Sequence, residues 1–388
     1  MGKFASIRPY LDEEVSGVLH KLVNDKELLD TLLAMRHPSA FKVAPAVMRT
    51  LARRFLKRNI QGVTSTDEFQ QRLLPHALQL LSATTDSLTI SGLEGLDPQS
   101  PHLYLSNHRD IAMDSLCLSV MLNKNGFVSP RTAIGSNLLD QEFVGRLMRL
   151  NKCFIVPRGI MKPRERFAAL RDLSAYIRHS ITMDQHPVWI AQREGRAKDG
   201  FDRTDETIIK MLMMSATKGA EFETGCGALN LVPVSISYEY DPCELLKANE
   251  LIAIEKSGSY EKDEGEDTDS IFIGIEGQNG RVHIEVGTPL SEIPNLTDSA
   301  QVTAELDRQI VANYVLFPNS YFAHELLGRP PVSGVCLPSK QPFAASDFEA
   351  ERDAFSDRLE RYNSTQRKRV LETYANPIQN KLDLGLMS

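Results

Sequence analysis

Cysteine is scarce and unpatterned in this chain. Cys117, Cys153, Cys226, Cys243 and Cys336 are odd in number, widely spaced and free of any CxxC pair. That excludes a metal knuckle or a dithiol redox motif and points to a reducing compartment. Long apolar runs are also missing: no stretch of about 18 apolar residues occurs, and MGKFASIRPYLDEE lacks the apolar core of a secretory signal. The chain is therefore expected not to cross a membrane and to be cytoplasmic. No HExxH or paired histidine spacing is present, and no aspartate cluster, so no metal is expected. There is no Walker sequence, and the GCG at Gly225–Gly227 lacks the third glycine of a dinucleotide loop.

What is present is ordinary globular composition, with 42% apolar and 24% charged residues over 388 positions. That length suits one large domain with appended helical segments, or two domains. The net charge of -7 argues against a general nucleic-acid binder, but it is unevenly placed. Residues 1–60 carry 11 Lys+Arg against 6 Asp+Glu, a local +5 that leaves -12 on the remainder. Within that basic end, AVMRTLARRFLKRNI sets Val47, Leu51 and Phe55 on one helical face. Arg49, Arg53, Arg54, Lys57 and Arg58 crowd the others. Such a helix suits either an anionic membrane surface, which the chain would then meet peripherally, or a solvated face packed on a core.

From Leu11 to about Leu81 apolar residues recur at helical spacing, with breaks near Pro38 and Gly62. From Leu88 the pattern changes to short strand-like runs: SLTISGL, HLYLSN, RTAIGS, CFIVP, PVWIAQ, LNLVPVSISY and VHIEVG. Helical stretches separate them, which predicts an α/β core. SGSYEKDEGEDTDS reads as an exposed acidic loop, and DFEAERDAFSDRLERYNSTQRKRVLETYA as one long charged helix. The expected organisation is a helical region over 1–85, an α/β domain over 86–295 and a second helical region over 296–388.

The chemistry concentrates where HLYLSN runs into NHRDIAMDSL. A histidine at the carboxyl end of a strand, just before a helix, lies at the usual ligand-binding edge of an α/β sheet. His108 there can act as general base toward a substrate hydroxyl. Asp114, six positions on, can hold the ring's other N–H and stabilise the imidazolium. There is no GxSxG elbow, and no cysteine stands in an evident Cys-His setting, so a covalent intermediate is not required.

These residues resemble the glycerolipid acyltransferase family, which includes glycerol-3-phosphate and lysophosphatidate acyltransferases. The family carries a histidine and an aspartate separated by four residues; HRDIAMD separates them by five. Either the turn before the helix absorbs the extra residue and Asp114 is the partner, or Asp110 has taken the role; the closeness of Asp110 to the histidine favours Asp114. Three further segments follow in the family's order: CFIVPRG, WIAQREGRAKDG and LVPVSISYEYDP. In the third block Arg196 follows Gly195 directly, a departure from the family's Glu-Gly-x-Arg.

The resemblance implies an acyltransferase-like mixed sheet flanked by helices and covers roughly residues 88–290. It implies an acyl donor, acyl-CoA or acyl-carrier protein, as co-substrate and no other cofactor. It makes Arg158 a phosphate contact, sets Glu194, Gly195, Arg196 and Lys198 in an acceptor-binding loop, and places Pro233 beside the pocket. Guanidinium groups suit a dianionic phosphate because they bond it bidentately and keep their charge. The acceptor is expected to be glycerol 3-phosphate or its 1-acyl derivative. Another lipid acceptor, of ornithine-lipid or lipid A type, and a non-catalytic lipid- or carrier-binding protein of the same fold remain open.

Overall fold

Every run singled out above for strand-like patterning is a strand. The computed structural model describes residues 2–139, 141–217, 221–263, 265–332 and 348–387, so Cys336 lies outside the described residues. The strands are β1 (Ser87–Ser91), β2 (Leu103–Ser106), β3 (Arg131–Gly135), β4 (Cys153–Val156), β5 (Val188–Ala191), β6 (Leu231–Tyr238) and β7 (Arg281–Val286). Helices α1 (Asp12–Asn24), α2 (Lys26–Arg36), α3 (Pro38–Val43), α4 (Pro45–Asn59) and α5 (Thr66–Thr84) precede them. Among and after the strands come α6 (Met113–Lys124), α7 (Glu142–Leu150), α8 (Pro163–Thr182), α9 (Glu206–Met213), α10 (Phe222–Gly227), α11 (Glu244–Ser257) and α12 (Glu266–Glu276). The chain closes with α13 (Ser299–Asn313), α14 (Pro318–Leu326), α15 (Glu349–Glu360) and α16 (Ser364–Asp383). It is α/β with helical regions at both ends, and among the described residues no helix is long and apolar enough to cross a membrane.

By compactness the chain groups into two units, one of residues 1–78 with 130–176 and one of 79–129 with 177–388. In the first, β3 and β4 pair in parallel, from Thr132 opposite Cys153 to Gly135 opposite Val156. Asp12, Glu13 and Glu14 in the first turn of α1 complement its dipole, and the Asp25 carboxylate caps α2 by accepting from the N–H groups of Glu27 and Leu28. Val15, Leu19 and Leu22 pack with Phe143 and Leu150 of α7 into an apolar core. Helices α3 and α4 behave differently, because neither buries a residue. Val43 is 86% exposed, Val47 59%, Leu51 57% and Phe55 66%. Arg49 is tied to Asp30 of α2 by an ion pair.

In the second unit β1 runs parallel to β7, β7 antiparallel to β6, β6 parallel to β2 and β2 parallel to β5, a mixed sheet. Burial explains the sequence patterns. All residues of β2 and β6 are buried, and both read as unbroken apolar runs. Strand β7 instead alternates, burying Val282, Ile284 and Val286. Helix α9, the methionine-rich segment, packs on α10 and α13 and buries Ile209, Met211 and Leu212.

Two sequence expectations are corrected here. The acidic loop ends at Gly265, whose φ of +88° only glycine adopts easily, and Glu266, Asp267 and Asp269 form the first turn of α12. Acidic residues at a helix start are dipole-favourable, so the charge run marks a helix N-terminus there as well as a loop. The long C-terminal helix is two helices. Asn363 starts the second with a capping box, its side chain accepting from the N–H groups of Thr365 and Gln366 while Gln366 reaches back to the Asn363 N–H.

Both C-terminal helices are tied to α11 through one carboxylate. Glu244, with a side chain 1% exposed, accepts from Arg358 Nε at 2.7 Å, Arg361 Nη2 at 2.8 Å and Tyr362 OH at 2.5 Å, and also from Tyr374 OH. Phe355 and Leu359 of α15 and Val370 and Ala375 of α16 share an apolar cluster with Phe322 of α14 and with Tyr362 and Tyr374.

Candidate active site

Strand β2 ends at Ser106, and the next residue locks the loop that follows. Asn107 is fully buried and reproduces a strand pairing with its side chain: Oδ1 accepts from the Ile236 N–H at 2.8 Å and Nδ2 donates to the Ile236 carbonyl at 3.0 Å. The residue after it, His108, is thereby held at the carboxyl end of β2 beside β6. Its ring meets the edge of Trp189 at 6.2 Å between centroids, and Trp189 Nε1 donates to Ser106 Oγ.

Six positions on, Asp114 occupies the first turn of α6 with its carboxylate wholly buried, 2.8 Å from His108 Nδ1. An ionised carboxylate only accepts, so Nδ1 carries the hydrogen and Nε2 is left with the ring's basic lone pair. The imidazole itself is 16% exposed. The same Asp114 Oδ2 accepts from the N–H groups of Arg109 at 2.7 Å and Asp110 at 3.1 Å, and Oδ1 accepts from Tyr238 OH at 2.8 Å.

The extra residue in the His–Asp spacing is absorbed by the turn before α6. Asp110 builds that turn: its Oδ1 accepts from the N–H groups of Ala112 and Met113, both at 2.9 Å, and it makes no bond to the imidazole. Burial, reinforced by the Asp114 carboxylate, pushes the Asp110 carboxyl above the usual range.

Around this loop lies a buried ionic frame. Arg109 donates to Asp202 at 2.5 Å and to the Gly200 carbonyl, and Lys247 donates to the Arg109 carbonyl at 2.6 Å and to Asp241. Arg109, Asp110, Tyr238 and Asp241 line a small, partly open pocket of about 20 Å³, room for about one water. Among the described residues no group of three or more His, Cys, Asp or Glu is arranged to hold a metal ion.

The third block reaches the pair through its backbone, the Ala197 N–H donating to the His108 carbonyl at 2.8 Å. Gly195 makes that approach with φ +76°, and Glu194 beside it is exposed. Arg196 is 6% exposed, and its Nη1 has no hydrogen-bond partner among the described residues. Burial opposes its charge, but Cys243, Asp110 and Asp241 outweigh that and hold its pKa above the usual value. Lys198 forms an ion pair with Glu250. Pro233 is buried within β6 opposite Leu105, its carbonyl accepting from the Gly287 N–H. Arg158 belongs to the first compact unit, where its N–H donates to Ser136 Oγ at 2.9 Å after β4.

The second unit thus brings together His108, Asp114 and the Gly195–Arg196 turn, with Pro233 in the neighbouring strand as part of the sheet core. Sequence reasoning missed Asn107, Arg109, Asp202, Lys247 and Tyr238. Of these, only the polar pair Asn107–His108 at a strand end carried a local signal.

The chain matches the Acyltransferase family model over residues 87–237. It is similar to the glycerol-3-phosphate acyltransferase of Pseudomonas putida (strain GB-1), 25% identical over 201 residues, which is 52% of this chain and 23% of that protein. It is also similar to the dihydroxyacetone phosphate acyltransferase of Bos taurus, 25% identical over 206 residues, 52% of this chain and 28% of that one. The matched stretch thus spans about a quarter of the length of these curated relatives. A solved structure, the 1-acyl-sn-glycerophosphate (LPA) acyltransferase PlsC from Thermotoga maritima, matches at 12% identity with a TM-score of 0.36, over 73% of this chain and 94% of that one. The part of the chain that matches the Acyltransferase family model, residues 87–237, contains the His108–Asp114 pair and all but the last residue of β6.

Proposed function

We propose that this protein transfers a fatty acyl group from a thioester, acyl-CoA or acyl-carrier protein, to a hydroxyl of glycerol 3-phosphate or 1-acylglycerol 3-phosphate. The observation that carries the reading is the 2.8 Å contact of His108 Nδ1 with Asp114 at the end of β2. His108 Nε2 takes the hydroxyl proton as the oxygen attacks the thioester carbonyl. Asp114 stabilises the imidazolium that forms. When the tetrahedral intermediate collapses the C–S bond breaks, and the imidazolium returns its proton to the departing thiolate.

The oxyanion needs donors that are not already engaged. The helix-start N–H groups of residues 109, 110, 112 and 113 are taken by Asp114 and Asp110, which removes them. The N–H groups of Gly195 and Arg196 enter no hydrogen bond among the described residues and are the better candidates.

The acceptor phosphate is assigned to Arg196, with Lys198 and Glu194 beside it in the same loop. Arg196→Ala is expected to raise the acceptor KM by roughly tenfold to a hundredfold, from a charge-assisted contact worth about 1.5–3 kcal/mol, while the donor KM changes little. Steady-state kinetics with each substrate varied separately checks this, with a thermal melt confirming the fold. A rise in donor KM instead would assign Arg196 to the CoA or carrier site.

A glycerolipid product belongs in a bilayer, and α4 offers a way to reach one from the surface. Its apolar stripe, Val47, Leu51 and Phe55, is open rather than packed, and Arg53, Arg54, Lys57 and Arg58 lie on the same helix with Arg49. Basic residues near an anionic leaflet contribute about 1 kcal/mol each. Co-sedimentation with anionic vesicles is expected to fall as salt rises, and to fall strongly when all five are changed to Gln. Equal, salt-insensitive binding by both proteins would rule out this helix as the membrane contact.

Incubation of the purified protein with labelled acyl-CoA or acyl-carrier protein and a set of acceptors tests the assignment. The set comprises glycerol 3-phosphate, its 1-acyl derivative and dihydroxyacetone phosphate.

A further inference from the structure

We propose that Tyr238 is a positioning residue: by donating to Asp114 Oδ1 it fixes the carboxylate so that Oδ2 faces His108, and it sets how strongly that carboxylate stabilises the imidazolium. The inference rests on the reading of His108 as the base and goes beyond it, naming the residue that governs that base's strength.

The geometry is explicit. Tyr238 ends β6, the strand that also grips Asn107, so one strand holds both ends of the loop carrying His108. Its hydroxyl lies 2.8 Å from Asp114 Oδ1, the oxygen turned away from the imidazole. The ring is buried, and burial holds its hydroxyl far above the usual range with Asp114 adding to the effect, so it stays a protonated donor. A carboxylate bound on both oxygens cannot rotate without losing a buried hydrogen bond. Each donor to the carboxylate also lowers its basicity, and so weakens its pull on the Nδ1 proton.

Other charged or titratable groups face the pair. Asp110 precedes it in the loop, and Cys117 follows on α6 with its thiol pushed up by burial and by Asp114. Asp202 feels the Asp114 carboxylate but is bound to Arg109, and Lys247 of α11 acts on Asp110. None of these side chains donates to Asp114, so Tyr238 is its one side-chain donor besides His108 among the described residues.

The test is the titration of the His108 ring, followed by NMR on histidine-labelled full-length protein, with His108→Gln identifying the resonance. This needs no acyl transfer, so its failure is distinct from failure of the proposed function. Tyr238→Phe removes the donor, leaves Asp114 more basic, and is expected to move the His108 titration to higher pH. Site-specific replacement of Tyr238 by 3-fluorotyrosine strengthens the donor and is expected to lower it. The acidic limb of the kcat/KM profile should move with each.

Opposite shifts in the two tyrosine variants support the proposal. An unchanged His108 titration in the fluorotyrosine protein, or a shift of the same sign in both, overturns it, and the fluorotyrosine result decides alone if Tyr238→Phe does not fold.

Discussion

Replacing His108 by alanine is expected to lower kcat for acyl transfer by about 10²–10⁴ while leaving the thermal midpoint close to that of the wild type. The imidazole is 16% exposed and meets the Trp189 ring in an edge-to-face arrangement, and among the described residues its one hydrogen bond is to Asp114. That carboxylate keeps the Arg109 and Asp110 N–H groups and the Tyr238 hydroxyl as donors when the ring is removed, so it is not stranded as a buried, unbonded charge. The acceptor KM should change little, because the base acts on the hydroxyl proton in the transition state rather than on the phosphate. Steady-state kinetics beside a melting curve separates the two effects. Loss of activity with loss of fold would return His108 to a structural role.

The largest effect on stability is expected at Glu244, far from the chemistry in sequence. Glu244→Ala deletes the one carboxylate that receives Arg358, Arg361, Tyr362 and Tyr374, and leaves two hydroxyls of the apolar cluster and two guanidinium groups without their shared acceptor. Removing one member of a buried ion pair costs about 3–5 kcal/mol. The loss should therefore be a marked drop in the unfolding midpoint, with α15 and α16 losing amide-exchange protection first. Glu244→Gln keeps acceptors for part of the network and should lose less. Unchanged protection of α15 and α16 in Glu244→Ala would show that apolar packing alone holds the C-terminal helices.

Much of this fold was legible because the strands are short, apolar and bounded by turn residues. LYLS and LVPVSISY read as buried strands for the reason they are buried: both lie inside the sheet, where no face meets water. The helix breaks behaved differently. One charged helix ends at Glu360 and Asn363 starts the next, yet NST in a run of arginines and glutamates resembles an interruption only once the capping geometry is seen.

At the site, His108 and Asp114 were legible because strand end, histidine and helix start lie within a dozen residues. The supporting frame was not. Tyr238 reaches Asp114 across 124 positions and Asp202 reaches Arg109 across 93, and such pairings are created by strand order, which no local pattern encodes. Arg196 shows the same limit. Its type suits a phosphate, but the structure sets it in a buried acidic surround that spacing alone does not reveal.

The central claim is that His108, held by Asp114, drives acyl transfer to a glycerol-phosphate hydroxyl. The direct measurement is the rate of labelled acyl transfer to glycerol 3-phosphate and 1-acylglycerol 3-phosphate by the wild type and by folded His108→Ala, with acyl-CoA and acyl-carrier protein each as donor. Acceptor-dependent formation of labelled lipid by the wild type, reduced at least a hundredfold in the variant, is the result expected. Equal rates in the two proteins, or no transfer by the folded wild type from either donor to either acceptor, would contradict it.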